Sequence, residues 1–341
     1  MHNYLRAAVV AVTTVGIVAA VMFANCDIGG TLDPSATVEK THLDSLREAY
    51  VAQKFGMFIH FNMSTYARCC CDNCVSVAGE WELGGEDNNL FAPHQLDCGQ
   101  WARVAKSAGC KYMVLVSKHH GGFCLWPTAA QAKPHHVGAS AWGIDTKRDV
   151  VREFVDSAAK YQLAVGVYFS IYDATNGNQL PYVLAQMTEL LKNYGPMKCM
   201  WTDRWSWETG YDNPSYQPVY DSIKKLQPNC LLIENNRQMS LDHTDLMQYE
   251  YPVMGLVPSG NKIPGETNRP IRTDNCWFWH PVKNCELMSA SEIVSDIKQV
   301  NHGNSTYLLD VTPDTSGLIP QCQVDRMTEV GTLLKQEGIV Q

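Results

Sequence analysis

"YVLAQMTELLKNYGPMKCMWTD", residues 182–203, holds the two patterns from which most of the chain is built. Its first part spaces apolar residues as one face of a helix does, and its last part, "KCMWTD", is a short apolar run that stops at Asp203. The same order recurs. "DCGQWARVAKSAG" (97–109) sets Trp101, Val104, Ala105 and Ala108 on one helical face, stops at Gly109, and precedes the apolar "KYMVLVS" (111–117). "KRDVVREFVDSAAKYQ" (147–162) repeats the spacing with Val150, Val151, Phe154, Val155 and Ala158 before "AVGVYFS" (164–170). "YQPVYDSIKKLQP" leads into "CLLIEN", and "SASEIVSDIKQVNHG" into "TYLLDV"; the earliest strand is "FGMFIH" (55–60). Helix-then-strand repetition predicts an α/β fold with a parallel sheet, and the length suits a (β/α)8-type, TIM-like barrel better than an open doubly wound sheet. No Gly-x-Gly-x-x-Gly or Walker-type loop follows the first strand, which argues against nucleotide binding.

The chain has 341 residues, of which 45% are hydrophobic, and a formal net charge of −8. An acidic balance without a basic stripe argues against nucleic acid as a partner. Residues 1–26 carry Arg6 and then an apolar run from Ala7 to Ala24, the shape of an export signal. The run lies between a secretory signal and a membrane helix in length. Cys26 is a candidate lipid-accepting cysteine, although Asn25 before it is larger than the residue usual there. The expectation is a secreted, periplasmic or lipoprotein location, with membrane attachment through the N-terminus only. Residues 27–40 read as a linker and 41–341 as the barrel. Setting Cys26 aside leaves twelve of the 13 cysteines, an even count compatible with disulfides in an exported protein. The cluster "CCCDNC" (69–74) has a single Cys-x-x-Cys spacing and no second pair, so disulfides or free thiols fit it better than zinc. Neither a metal nor a cofactor is expected.

In such barrels the active site forms at the carboxyl ends of the strands. Reading those ends yields His60, His119, His120, Tyr168, Asp203, Glu234 and Glu250. Two carboxylates flanking a scissile bond suffice for glycoside hydrolysis, and Asp203 is the better nucleophile because a strand fixes it. Trp126, Trp201 and Trp277 offer faces on which a pyranose can pack. Taken alone, an Asp at a strand end is more often a cap or an ion-pair partner. The adjacent His119 and His120 would face opposite sides of a strand, so only a strand-to-loop transition aims both inward. Hydrogen-bonding roles, or one core and one exposed histidine, fit them better than zinc. Other aromatics, such as Trp101, read as core.

"KFGMFIHF", "GEW", "KHHGGFCLWP", "KRDVV", "VGVYFS", "MWTD" and "NSTYLLDVTPD" occur in the order of closely similar segments in the α-L-fucosidases of glycoside hydrolase family 29. The chain resembles that family from about Leu43 to Gly331. The resemblance implies an irregular (β/α)8 barrel, a retaining mechanism with Asp203 as nucleophile, a fucosylated oligosaccharide or glycoconjugate as substrate, and no cofactor. The segment "IPGETNRPIRTDNCWFWHP" (263–281) is similar to the branch that prefers α-1,3/1,4-linked fucose. Its glutamate maps onto Glu266 as acid/base, with Glu250 and then Glu234 as competitors. The binding residues implied are His60, Glu80, Trp81, His119, His120, Tyr168, Trp201, Arg272 and Trp277. The chain departs from the family at Arg204, where glycine often follows the nucleophile, and in the "CCCDNC" insertion; the expected architecture also lacks the C-terminal β-sandwich common there. The rival readings are an inactive carbohydrate-binding protein on the same scaffold and a metal-dependent hydrolase using His119, His120 and the cysteine cluster. Transglycosylation would use the same residues as hydrolysis. A retaining pair requires carboxyl groups roughly 5 to 5.5 Å apart.

Overall fold

The structure, a computed structural model, describes residues 40–66, 84–140 and 148–340. Within them the apolar runs become eight strands: β1 (Phe55–Ile59), β2 (Tyr112–Lys118), β3 (Ala164–Ser170), β4 (Cys199–Asp203), β5 (Leu231–Glu234), β6 (Met247–Glu250), β7 (Gly265–Pro270) and β8 (Ser305–Asp310). Every ladder is parallel, in the order β5-β4-β3-β2-β1-β8-β7-β6. The result is a nearly closed (β/α)8-type barrel with one seam, between β5 and β6, where no ladder forms.

The described helices are α1 (His42–Val51), α2 (Cys98–Ser107), α3 (Val150–Lys160), α4 (Leu180–Asn193), α5 (Tyr216–Leu226), α6 (Ala290–His302) and α7 (Gln321–Gln336). Helix α1 precedes β1. Helices α2 to α5 follow β1 to β4 in turn, and α6 and α7 follow β7 and β8; the connections from β5 to β6 and from β6 to β7 carry no helix among the described residues. Side-chain carboxylates or hydroxyls start several of these helices: Asp97, Asp149 and Ser289 accept from the backbone N–H groups of Gln100, Arg152 and Glu292. Gly109, at φ +89°, ends the α2 segment in a conformation that favours glycine.

Strands buried on both faces read as continuous apolar runs. Alternation sends Phe58, Val114, Tyr168, Trp201, Ile233 and Leu308 into the barrel, while Met57, Ile59, Met113, Leu115, Val167 and Met200 pack towards the helices. Tyr50 of α1 reaches into the interior cluster from below. Gly56 on β1 makes room there, because a Cβ on it would lie 2.3 Å from the ring of Tyr112. Low on the seam, Asp245 replaces the missing ladder: its N–H donates to Leu232 O at 2.8 Å and its Oδ2 accepts from Leu232 N at 2.7 Å. Lys224 pairs with the same carboxylate at 2.6 Å. One disulfide, Cys285–Cys322, is present among the described residues and ties the segment after β7 to α7. The "CCCDNC" cluster, Glu80, Trp81 and the N-terminal segment to residue 39 lie outside the described residues.

Candidate active site

Strand β4 ends on Asp203, which the barrel geometry delivers to the carboxyl rim. Its Oδ2 accepts from the Tyr168 hydroxyl at 2.9 Å, and its Oδ1 accepts from Arg204 N at 2.7 Å and from Asn235 Nδ2 at 3.3 Å. Arg204 stands at φ +56°, a left-handed conformation. That backbone turn is the physical reason glycine would suit the position after the strand, and here an arginine adopts it.

The second carboxylate at this point of the rim is Glu250, the last residue of β6. Its Oε2 accepts from the same Asn235 Nδ2 at 3.2 Å and from the Arg237 guanidinium, Nε and Nη2 each at 2.7 Å. One amide nitrogen therefore touches both carboxylates, which limits the separation of the two oxygens to about 6.5 Å, the sum of its two hydrogen-bond lengths. Asn235 and Arg237 also bridge the open β5–β6 seam at its upper end. Both carboxylates sit at the edge of burial, 8% exposed for Asp203 and 9% for Glu250. Burial, followed by repulsion from Glu250, pushes the Asp203 carboxyl up to about 7, against the opposing pull of Arg237 and of its hydrogen bonds from Tyr168 and Arg204.

Glu266, the acid/base expected from the resemblance, makes none of its hydrogen bonds to this pair. It is the second residue of β7, next to Gln248 and Thr306 in the ladder, at the amino-terminal part of the barrel interior. Oε2 accepts from the hydroxyls of Tyr50 at 2.9 Å and Tyr112 at 2.8 Å; Oε1 accepts from Trp201 Nε1 at 3.0 Å and Gln248 Nε2 at 2.8 Å. The side chain is fully buried. Glu234 is equally buried below the rim, its Oε2 accepting from the Thr202 hydroxyl at 2.5 Å, and burial pushes its carboxyl up to about 8.

The remaining rim is aromatic and imidazole. His60 Nδ1 lies 2.8 Å from Asp310 Oδ1 at the end of β8, and both groups are buried. Burial lowers the ring to about 3 and raises the Asp310 carboxyl well above its ordinary range. His119 and His120 follow β2 at its transition to loop, with ring centroids 4.0 Å apart and both buried, so neither is the exposed member of a pair. His120 Nδ1 is 2.8 Å from Ser170 Oγ, and desolvation holds both rings neutral. The Tyr168 ring stacks on Trp201 at 5.3 Å and on His119 at 5.9 Å. Trp277 lies 5.1 Å from His60, and Phe278 meets both His60 and His119 edge-on at 5.3 and 4.9 Å. Arg272 is buried with Nη1 donating to Phe278 O at 2.6 Å and its other end paired with Asp274. It therefore shapes the wall that presents Trp277 and Phe278. Trp126 is not part of the rim: it is buried in the outer core and donates Nε1 to Glu189 of α4 at 2.8 Å. Among the described residues no three His, Cys, Asp or Glu side chains converge as a metal-holding group.

Sequence reasoning thus brings together Asp203, Glu250, Tyr168, His60, His119, His120, Trp201 and Trp277, and misses Asn235, Arg237, Phe278 and Asp310. The strand-end rule would have found Asp310 in "TYLLDV"; Asn235 and Arg237 carry no signal beyond their place just past β5.

The chain matches the family model described as Alpha-L-fucosidase over residues 31–339. It is 28% identical over 305 residues to Alpha-L-fucosidase 1 of Arabidopsis thaliana, covering 80% of this chain and 56% of that protein. The crystal structure of a glycoside hydrolase 29 family member from an unknown rumen bacterium is similar at TM-score 0.72 and 28% identity, covering 86% of this chain and 56% of that one. Alpha-L-fucosidase isoenzyme 1 from Paenibacillus thiaminolyticus is similar at TM-score 0.70 and 25% identity, covering 87% of this chain and 77% of that one. The chain spans about half the length of the plant relatives it matches.

Proposed function

Because the chain belongs to the alpha-L-fucosidase family, we propose that it hydrolyses terminal α-linked L-fucose from oligosaccharides or glycoconjugates with net retention, using Asp203 as nucleophile and Glu250 as acid/base. The single observation that carries this reading is the Asn235 amide set between Asp203 and Glu250. It limits the Asp203 Oδ1 to Glu250 Oε2 separation to about 6.5 Å, which favours a double displacement, whose carboxyl groups stand about 5 to 5.5 Å apart, over the wider spacing of inverting enzymes.

In the first step a carboxylate oxygen of Asp203 bonds to the anomeric carbon, the glycosidic bond breaks, and Glu250 gives its proton to the departing oxygen. In the second, Glu250 takes a proton from water as that water attacks the anomeric carbon and the Asp203 ester bond breaks. The productive state carries its one proton on Glu250, with Asp203 ionised; Arg237, the Tyr168 hydroxyl and Arg204 N favour the ionised Asp203 against its burial. Tyr168 and Arg204 N keep Asp203 aimed. Neutral His60, His119 and His120 supply hydrogen bonds to sugar hydroxyls, while Trp201 and Trp277 supply apolar faces. Glu80 and Trp81 join them by resemblance.

The α-1,3/1,4 preference rests on the similarity of residues 263–281 and on Arg272, which shapes the Trp277 wall from within that segment. Export through residues 1–26, with 27–40 as linker, is supported by the Cys285–Cys322 disulfide, since such bonds persist in oxidising compartments. The test is fucose release from a Lewis-type trisaccharide and from an α-1,2-fucosylated lactose, with the anomer of the first-formed product read by NMR. Release of α-L-fucose from the branched substrate, lost in Asp203→Ala, is expected. First-formed β-L-fucose would overturn retention, and turnover of the α-1,2 substrate alone would overturn the linkage. No turnover of either substrate would leave a carbohydrate-binding role.

A further inference from the structure

Joined to Glu250 through Arg237, the structure presents a partly exposed aromatic ring that the catalytic reading does not use. Trp207 lies four residues past Asp203 and is 38% exposed, whereas the two carboxylates beside it in the site are 8% and 9% exposed. The Arg237 guanidinium lies over the Trp207 ring, Cζ 3.7 Å from its centroid, and the same guanidinium pairs with Glu250 at 2.7 Å. One planar cation therefore ties the ring to the second carboxylate. Adding one C–N bond places the ring centre at most about 8 Å from Glu250 Oε2, the distance covered by a single sugar ring.

We propose that Trp207 is the platform for the leaving-group sugar, a pyranose whose equatorial hydroxyls leave an apolar C–H face to stack. The inference rests on the fucosidase reading and deepens it. The acid must reach the oxygen between fucose and its leaving group, so the leaving group lies on the side of Glu250 away from Asp203. Arg237 and Trp207 are the groups that adjoin Glu250 besides Asn235, one paired with its carboxylate and the other stacked on that guanidinium. Arg237 stacks on one face of the indole, whose residue stays 38% exposed, and the Arg237 side chain is itself 30% exposed, so its guanidinium can also donate to a sugar hydroxyl. A large aromatic that is partly open, braced from behind by a cation and joined to the acid is a built surface. Scattered exposed apolar residues such as Val282 have none of these supports.

Three substrates separate the possibilities: α-L-fucosyl fluoride, whose leaving group needs neither acid nor a subsite; methyl α-L-fucoside, which needs the acid and has no ring to stack; and a fucosyl disaccharide, which needs both. In Trp207→Ala the loss of kcat/KM on the disaccharide should exceed the loss on the methyl glycoside by about tenfold, and Trp207→Phe should restore most of it. The fluoride rate reports the folded, competent fraction of each variant. Equal losses on disaccharide and methyl glycoside would overturn the platform and make Trp207 a brace that acts through Arg237 on Glu250. Equal losses on all three substrates would reduce it to a folding role, and unchanged rates on all three would dismiss it. A wild type inactive on all three would instead overturn the fucosidase reading itself.

Discussion

The rim and the interior of this barrel each hold a glutamate, and they are opposites. Glu266 in the interior receives four side-chain donors that saturate both its oxygens, and it touches no solvent. Glu250 at the rim uses Oε2 for Asn235 and Arg237, stands at the solvent edge, and shares Asn235 with Asp203. A carboxylate locked by four donors cannot exchange a proton with a substrate without breaking its own support. A carboxylate held on one side can. Under the proposed mechanism, burial and donor count, more than presence in a motif, separate a glutamate suited to chemistry from one suited to architecture. The two regions are still connected: Glu266 orients Trp201, Trp201 stacks on Tyr168, and the Tyr168 hydroxyl bonds Asp203.

The largest effect should come from the rim. Asp203→Ala should lower kcat about 10⁴-fold or more, equivalent to about 5.5 kcal/mol, with the melting temperature little reduced. A variant retaining even a hundredth of the activity would move the nucleophile elsewhere. Next is the interior: Glu266→Ala orphans four buried donors and should destabilise the fold by about 3 to 5 kcal/mol in chemical denaturation, while Glu266→Gln, which keeps the volume, should cost less. If Glu266→Ala unfolds normally yet loses turnover as deeply as an acid/base variant, the contrast drawn between the two glutamates is wrong.

Glu250→Ala should lower turnover of a natural glycoside about 10² to 10⁴-fold, spare fucosyl fluoride by comparison, and recover rate when azide is added as an external nucleophile. Failure of azide to restore any rate would separate Glu250 from the acid/base role. The smallest effect is a pH dependence of stability. Asp203 and Glu234 are raised to about 7 and about 8, so the fold binds their protons more tightly than the unfolded chain does. That contribution is complete below about pH 4 and is lost as pH rises through 7 and 8. Asp203→Asn should therefore be more stable than wild type at pH 8 by on the order of 2 kcal/mol, a melting shift of a few degrees, and indistinguishable from it near pH 4. Equal melting temperatures at both pH values would show that Asp203 carries no such burden.

Much of the fold was legible because each strand is a continuous apolar run and each helix a one-faced pattern: Trp101, Val104 and Ala105, or Val150, Val151 and Phe154, are buried as their spacing implies. The seam between β5 and β6 was not legible. "CLLIEN" and "MQYE" are ordinary strands in isolation, and whether they share a ladder depends on how barrel closure spaces them. The site divides in the same way. A strand that ends in a carboxylate must present it at the rim, which made Asp203 and Glu250 readable. Glu266 looked equally suitable because its motif resembles one that carries an acid, yet it enters at the start of its strand.

The sequence alone therefore determined the alternation of helix and strand, the parallel barrel and the carboxylate at the end of β4, because these follow from local periodicity and from where an apolar run stops. Only the tertiary structure decided which glutamate stands beside Asp203. Depth along a strand depends on how eight strands are staggered around a barrel, and proximity across the seam depends on Asn235 and Arg237, side chains whose partner lies on another strand.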